Sequence, residues 1–499
     1  MEHLLFESSV MRKIFTLLIL LFNSIIAQSN FQNFISSLYS APNDSIRMKM
    51  IDSFMVVATS QGIPYIEDTI ANFIYRGSGN NVYLAGDFNG WSSSADRLSK
   101  VYGTNFFFIS KIFERDARLD YKFVVDGNWI LDPNNPNICP GGFGPNSELA
   151  MPDYIQPVEI RYYPSIPHGT LRDTTFYSSI LNNSRTIRIY LPPNYETTTD
   201  SFPMILMHDG PEYISLASMN NVLDYLITNN KIEPIIGVFV PPVNRTPEYA
   251  GNQINNFKNF IVLELLPYLR NRYRIKSGFE NCAVGGASNG GNISLYLALN
   301  HPEVFGNVSA QSSNVISSIS DGFQNNPKLN LKVYLDIGKY DIPVLIPLVR
   351  NLKSILQSKG YNLVYREFNE GHSWGNWRAH IDDYLTFFFP KKSTDVKENK
   401  GHLIPEEFKL HQNFPNPFNN SSKILFEIPQ TGLVNLKIYN SIGQEISTLV
   451  NEKKLPGKYE VVIKSDNLTG GVYFYQLKYV NSKSHKHSYV ETRKMIYLK

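Results

Sequence analysis

Two cysteines, Cys139 and Cys282, are all that the 499 residues contain. That excludes a disulfide-stapled scaffold, and neither thiol stands in a metal-ligand spacing. The two fall in different domains by the patterning described below, so a pair of buried thiols is expected. An excess of one charge is also missing. With 47 Lys+Arg against 44 Asp+Glu the net charge is +3, too little to argue for nucleic acid, and no basic stripe with interleaved aromatics occurs. Long apolar runs are absent too. The longest near membrane length, IFTLLILLFNSII at 14–26, has 13 residues with Asn23 and Ser24 inside it, too short for an integral membrane span. No motif calls for a metal or a cofactor. What is abundant, 42% hydrophobic and 13% aromatic residues, excludes a disordered polymer, and the length predicts several domains.

The charge is unevenly placed. Residues 391–499 hold 17 Lys+Arg against 10 Asp+Glu, while the rest hold 30 against 34, which marks the tail as a separate unit. At the other end, Arg12 and Lys13 precede the apolar run and Ala27 follows it, the pattern of a secretory signal over residues 1–27. Glu2 and Glu7 make MEHLLFESSV a poor basic region, so a start at Met11 is expected.

Residues 28–68 carry helical spacing, as in IRMKMIDSFMVVA. Over 69–153 short alternating runs (NVYLAG, NFFFISKI, LDYKFVVDG) are bounded by Gly, Asn and Asp, which predicts an antiparallel β-sandwich. Asp126-Gly127 predicts a tight hairpin. Over 154–390 the pattern becomes continuous apolar strands such as FPMILMHDG, IIGVFVPP and LKVYLDIG, alternating with helical segments such as GNISLYLALN. This predicts a mostly parallel sheet with helices on both faces. Residues 391–408 read as a linker. In 409–499, Val434, Leu436 and Ile438 face one way and Asn435, Lys437 and Tyr439 the other, as in a small β-sandwich.

The stretch VGGASNGGN places Ser288 between glycines, after a strand-like run and before a helix. A Gly-X-Ser-X-Gly match is weak by itself, but strand–turn–helix is the setting that presents a serine hydroxyl above a sheet. A serine needs a base, and the base an orienting acid, in the chain order Ser, Asp/Glu, His. Asp336 and Asp341 follow in DIGKYD. Asp341 lies beyond the strand, where an acid reaches a histidine, and is preferred. His372 in NEGHSWGNW then follows, on a loop ahead of a final helix. The oxyanion needs two N–H donors. Asn289 at the helix start offers one; Gly210 or Glu212 offers the other, because Pro211 has no N–H.

At this point residues 160–390 resemble the esterase-D/enterochelin-esterase group of α/β hydrolases, which includes secreted feruloyl and acetylxylan esterases. HDGPEY (208–213), NRTPEY (244–249), GGASNGG (285–291), DIGKYD (336–341) and EGHSWGNWR (370–378) carry the likeness. It implies Ser288 as nucleophile, Asp341 as orienting acid, His372 as base, and a structural ion-pair role for Arg245 and Glu248. GDFNGW (86–91) and YKFVVDGNWILDP (121–133) resemble the glycogen-binding type of carbohydrate module. There Trp91 and Trp129 match a sugar platform, with Lys122 and Asn146 matching polar contacts; a packing or substrate-lid role is the other reading of that module. FKLHQNFPNPFNNSSKILFEIP (408–429), GGVYFYQL (470–477) and RKMIYLK resemble the C-terminal sorting domain of type IX secretion cargo, whose machinery would then be a partner.

Together these imply a secreted or surface-held serine esterase, without metal or cofactor, acting through an acyl-enzyme on feruloyl or acetyl esters of plant polysaccharide. A siderophore trilactone esterase is the alternative within hydrolases, and a non-catalytic surface glycan-binding protein the alternative outside them.

Overall fold

The computed structural model describes residues 29–391 and 408–498, apart from 420, 455, 465–468 and 482–487. The expected signal segment 1–27 and nearly all of the 391–408 linker lie outside the described residues. The chain divides into two compact units, 1–392 and 393–499.

In the first unit, helices Asn30–Tyr39 and Asp44–Gln61 bury Phe31, Leu38 and Ile51 against Ile74 and Phe106. Asn43 caps the longer helix by accepting the Ile46 N–H at 3.0 Å. The β-sandwich follows. Ile70–Arg76 and Phe106–Ile112 form one layer; Val82–Gly86, Arg118–Val125 and Asn146–Ala150 form the other. Phe73, Tyr75, Leu84, Tyr121 and Phe123 fill the space between them. Asp126 and Gly127 both take positive φ (47° and 88°), so the expected hairpin forms between Val125 and Asn128.

The hydrolase sheet opens with an antiparallel hairpin, Thr170–Ser178 and Asn183–Leu191. Ile236–Val240, Met204–His208, Cys282–Ala287, Asn307–Gln311, Lys332–Tyr340 and Asn362–Gly371 then run parallel, side by side. Side chains along these strands enter two cores alternately. Met204 and Leu206 meet Leu265, Leu269 and Ile293 on one face; Ile205 and Met207 meet Tyr213, Leu223 and Leu385 on the other. Cover on both faces is why these strands read as unbroken apolar runs. The sheet continues beyond the hydrolase: Glu370 pairs in parallel with Arg118, joining Asn362–Gly371 to Arg118–Val125 of the sandwich. Cys139 and Cys282 are both buried free thiols.

One ion pair inside this unit is sealed from water. Arg185, on the strand Asn183–Leu191, holds both Glu248 oxygens (3.1 and 3.2 Å) and the Pro241 carbonyl (3.1 Å), with both side chains at most 1% exposed. Removing one partner strands a buried charge, so Arg185→Ala should lower the unfolding free energy by about 3–5 kcal/mol, read from the midpoint of denaturant unfolding.

The second unit is itself two-layered. Lys409–Leu410, Ser421–Ile428 and Gly457–Lys464 form one sheet; Glu445–Lys454, Gly432–Asn440, Gly471–Asn481 and Ser488–Tyr497 form the other. Val434, Leu436 and Ile438 are buried, as their alternation predicts. Tyr473 and Tyr475 also point inward, while Val472 is exposed. The inward hydroxyls are satisfied: Tyr473 donates to Thr469 O and Tyr475 to His411 O, each at 2.8 Å.

Candidate active site

Ser288 ends the strand Cys282–Ala287 and begins the helix Asn289–Asn300 with φ 57° and ψ −122°. A non-glycine residue there is strained by roughly 1–3 kcal/mol and persists only where its surroundings enforce it. They do so through the backbone. The Ser288 N–H donates to Gln311 O (2.8 Å), and the Ser288 carbonyl accepts from the Asn292 and Asn314 N–H groups (3.1 and 3.3 Å). Glycines leave the required room: a Cβ on Gly286 would lie 2.6 Å from the Gly290 carbonyl carbon.

Two parallel strands further on, Asp341 follows Lys332–Tyr340 with its side chain fully buried. Its Oδ1 accepts the Ile342 N–H (2.7 Å) and meets Nδ1 of His372 at 2.7 Å. His372 follows Asn362–Gly371 and is 19% exposed. Its ring stands edge-to-face on Trp377 (5.0 Å, 89°); Trp377 packs on Trp374, and Trp374 on Tyr213. With Nδ1 on the acid, Nε2 is the nitrogen left for chemistry. Asp336 has a different setting. It is fully buried inside its strand, accepting from the Ser312 N–H (3.0 Å) and Gln311 Nε2 (3.2 Å), and burial pushes its carboxyl up to about 7. Ser288, Asp341 and His372 all stand just past the carboxyl ends of parallel strands, where ligands bind in open α/β sheets.

The HDGPEY segment faces this edge. Asp209 takes a left-handed conformation (φ 54°, ψ 42°) before the short helix Gly210–Ser215. Arg245 grips its carboxylate with two bonds, Nε at 2.8 Å and Nη2 at 2.7 Å, and reaches Ala287 O at 3.4 Å. Arg245 and Glu248 are thus both in ion pairs, but with Asp209 and Arg185 respectively. The Glu212 N–H is engaged with Asp209 O at 3.1 Å. His208 is fully buried; burial, then the charge of Arg245, pull its imidazole down to about 3, so it stays neutral at working pH.

Of the residues matched to a sugar platform, Trp91 and Trp129 stack with centroids 6.4 Å apart and planes 29° apart. Trp91 donates through Nε1 to Asp87 (3.0 Å), and Trp129 is 46% exposed. Lys122 is half-buried opposite Ala85. Asn146 turns its amide nitrogen to Asp120 Oδ2 (2.9 Å). Sequence reasoning missed Asp209, Arg118 and the Trp374–Trp377 pair; for Asp209 the available signal was its place directly after the apolar run FPMILMH and before Gly210-Pro211.

A mostly parallel sheet, an opening antiparallel hairpin and a serine on a strained strand-to-helix turn define an α/β hydrolase. The comparisons with known proteins say which kind. The Esterase family model matches residues 178–388, the glycogen recognition site of AMP-activated protein kinase matches 70–140, and the secretion system C-terminal sorting domain matches 412–491. Each of the three segments is similar to the family whose model it matches, and the esterase match together with the fold supports a carboxylic ester hydrolase. Uncharacterized protein YjcH of Bacillus subtilis is 26% identical over 234 residues, which are 44% of this chain and 97% of that one. An endo-1,4-beta-xylanase/feruloyl esterase of Xylanibacter ruminicola is 25% identical over 200 residues, 37% of this chain and only 27% of that protein. The enterobactin esterase of Shigella flexneri, solved in the presence of enterobactin, shares the fold with TM-score 0.56 at 20% identity, over 64% of this chain and 92% of its own. The sorting domain places the protein outside the cell or on its outer surface. No described helix is long and apolar enough to cross a membrane.

Proposed function

We propose that the protein is a serine esterase that hydrolyses feruloyl or acetyl esters on plant polysaccharide through an acyl-enzyme. The observation that carries this reading is the 2.7 Å bond between His372 Nδ1 and Asp341, at the same sheet edge as the strained turn of Ser288. In this mechanism His372 Nε2 takes the proton of Ser288 as Oγ attacks the ester carbonyl. The tetrahedral oxyanion forms against the N–H groups of Asn289 and Gly210, at two helix starts. Gly210 is preferred over Glu212 because the Glu212 N–H is already bonded. His372 returns the proton to the leaving alcohol, and water repeats the sequence to release the acid.

The feruloyl esterase activity in the Xylanibacter relative's name, the glycogen-recognition module and the sorting domain all support an ester on an extracellular glycan. The experiment is a panel on the full chain: methyl ferulate, p-nitrophenyl acetate, feruloylated arabinoxylan, acetylated xylan and enterobactin. Turnover of the ferulates or acetylated xylan supports the reading. Turnover of enterobactin alone would move the substrate to siderophore trilactones, and tight glycan binding with no ester hydrolysis would leave only a binding protein.

In the same reading Trp91 and Trp129 offer apolar indole faces, their planes 29° apart, to a sugar ring. Because Trp129 is half-exposed, Trp129→Ala should leave the unfolding midpoint in place and weaken glucan or xylan binding roughly tenfold, about 1.4 kcal/mol, in titration calorimetry.

A further inference from the structure

The loop that carries His372 is held from the N-terminal sandwich. Arg118 stands opposite Glu370 at the one register position where the sandwich joins the parallel sheet. Because that pairing is parallel, the strand Arg118–Val125 runs on past Gly371, over the edge where Ser288, Asp341 and His372 sit. Its neighbour Val82–Gly86 runs back the other way, with Gly86 opposite Tyr121, and sets Asp87 directly on Gly371. A Cβ on Gly371 would run into the Asp87 carboxyl group. Asp87 is itself fixed, accepting the Asp120 N–H (2.8 Å) and Trp91 Nε1 (3.0 Å).

On the other side of His372 the contact is a hydrogen bond from a buried cation. The Arg118 guanidinium is fully buried. It donates to Glu148 Oε2 through Nε (3.0 Å) and Nη2 (2.7 Å), and its Nη1 lies 2.7 Å from Asp120 Oδ1. Nη1 also reaches out of the sandwich to Ser373 Oγ at 3.1 Å. Ser373 is the residue after His372 and the N-cap of Trp374–Ala379. A Cβ on Gly375, in the same turn, would strike the guanidinium. Glu148 and Asp120 pair with the arginine within its own layer, and Arg378 on the helix Trp374–Ala379 shares Glu148 at 3.4 Å, so the bond to Ser373 is an addition that these ion pairs do not require.

We propose that Arg118 is a positioning residue: through Ser373 Oγ it fixes the loop on which the His372 imidazole meets Asp341, making the N-terminal sandwich part of the catalytic apparatus. This rests on the reading of His372 as general base. The two are tested apart in the full chain, using Ser288 phosphonylation by a fluorophosphonate and turnover of p-nitrophenyl acetate. Ser288-dependent phosphonylation of the wild type establishes the site; its absence would remove that reading and this inference with it. Given that activity, Arg118→Lys keeps the buried charge but loses the planar fork, and Ser373→Ala keeps the arginine but loses its acceptor. Each should slow phosphonylation and kcat by about tenfold or more, since small misplacements of a reacting group are costly, with KM within about twofold of wild type. The double variant should be no slower than the worse single one, because both cut the same link. Unchanged kcat in Ser373→Ala, effects that multiply in the double variant, or a change confined to KM would each overturn the proposal and reduce the contact to packing.

Discussion

Ser288→Ala is expected to abolish ester hydrolysis, with kcat falling on the order of 10⁶-fold, while the protein stays folded. The loss is large because in the proposed mechanism Oγ forms the acyl bond. The His372–Asp341 pair and the proposed oxyanion amides remain in this variant, so a residual acceleration of roughly 10³–10⁴ over water should persist. The fold should tolerate the change because the turn is held by backbone bonds, from Ser288 N–H to Gln311 O and from Asn292 and Asn314 N–H to Ser288 O. None of these uses the hydroxyl. Single-turnover kinetics on p-nitrophenyl acetate, with and without the serine, reads the difference; a variant that kept more than a hundredth of the wild-type kcat would remove Ser288 from the mechanism.

Asp341→Asn is expected to cost about 10⁴ in kcat. Oδ1 of Asp341 accepts from both the Ile342 N–H and His372 Nδ1, which keeps the imidazole proton on Nδ1 and the lone pair on Nε2. An amide in the same pocket has one oxygen and one NH₂ group. Because one oxygen holds both bonds, the amide either keeps its oxygen there and loses only the negative charge, or turns its NH₂ group to both partners, which opposes the Ile342 N–H and drives the imidazole proton to Nε2, so that the base is lost. The imidazolium formed in the transition state also loses its counter-charge. Binding should change little, so KM is expected to hold while kcat falls. Equal losses for Asp341→Asn and Asp336→Asn would show that the acid had been misassigned.

The parts of this molecule that could be read from the sequence are those whose physics is local. The glycines around Ser288 are adjacent to it, and a strand before and a helix after are patterns of a few residues. His372 and Asp341 were singled out by chain order and their place beyond strands, and the structure brings the two side chains to 2.7 Å. Asp209 was out of reach because its partner Arg245 is 36 positions away, and nothing in HDGPEY says which cation will meet it. The tail shows the same limit: alternation in GVYFYQL marks a strand, but the choice of face depends on its partners, and the inward Tyr473 and Tyr475 have backbone carbonyls to accept their hydroxyls. Arg118 reads as an ordinary strand residue in RLDYKFVV. Its importance is set by Glu148, 30 positions away, and Ser373, 255 away.

That last separation bears on how the enzyme comes to life. The strand Arg118–Val125 is made early, yet its outer edge is met by Asn362–Gly371, the final strand of the hydrolase sheet. Contacts between such distant segments carry a large loop-closure cost and form late. In the proposed mechanism the histidine loop is expected to be seated only once Asn362–Gly371 has met the sandwich strand, so a chain still being synthesised would carry its serine without a working base. On that reading, hydrolytic power would arrive with the last seam of the sheet.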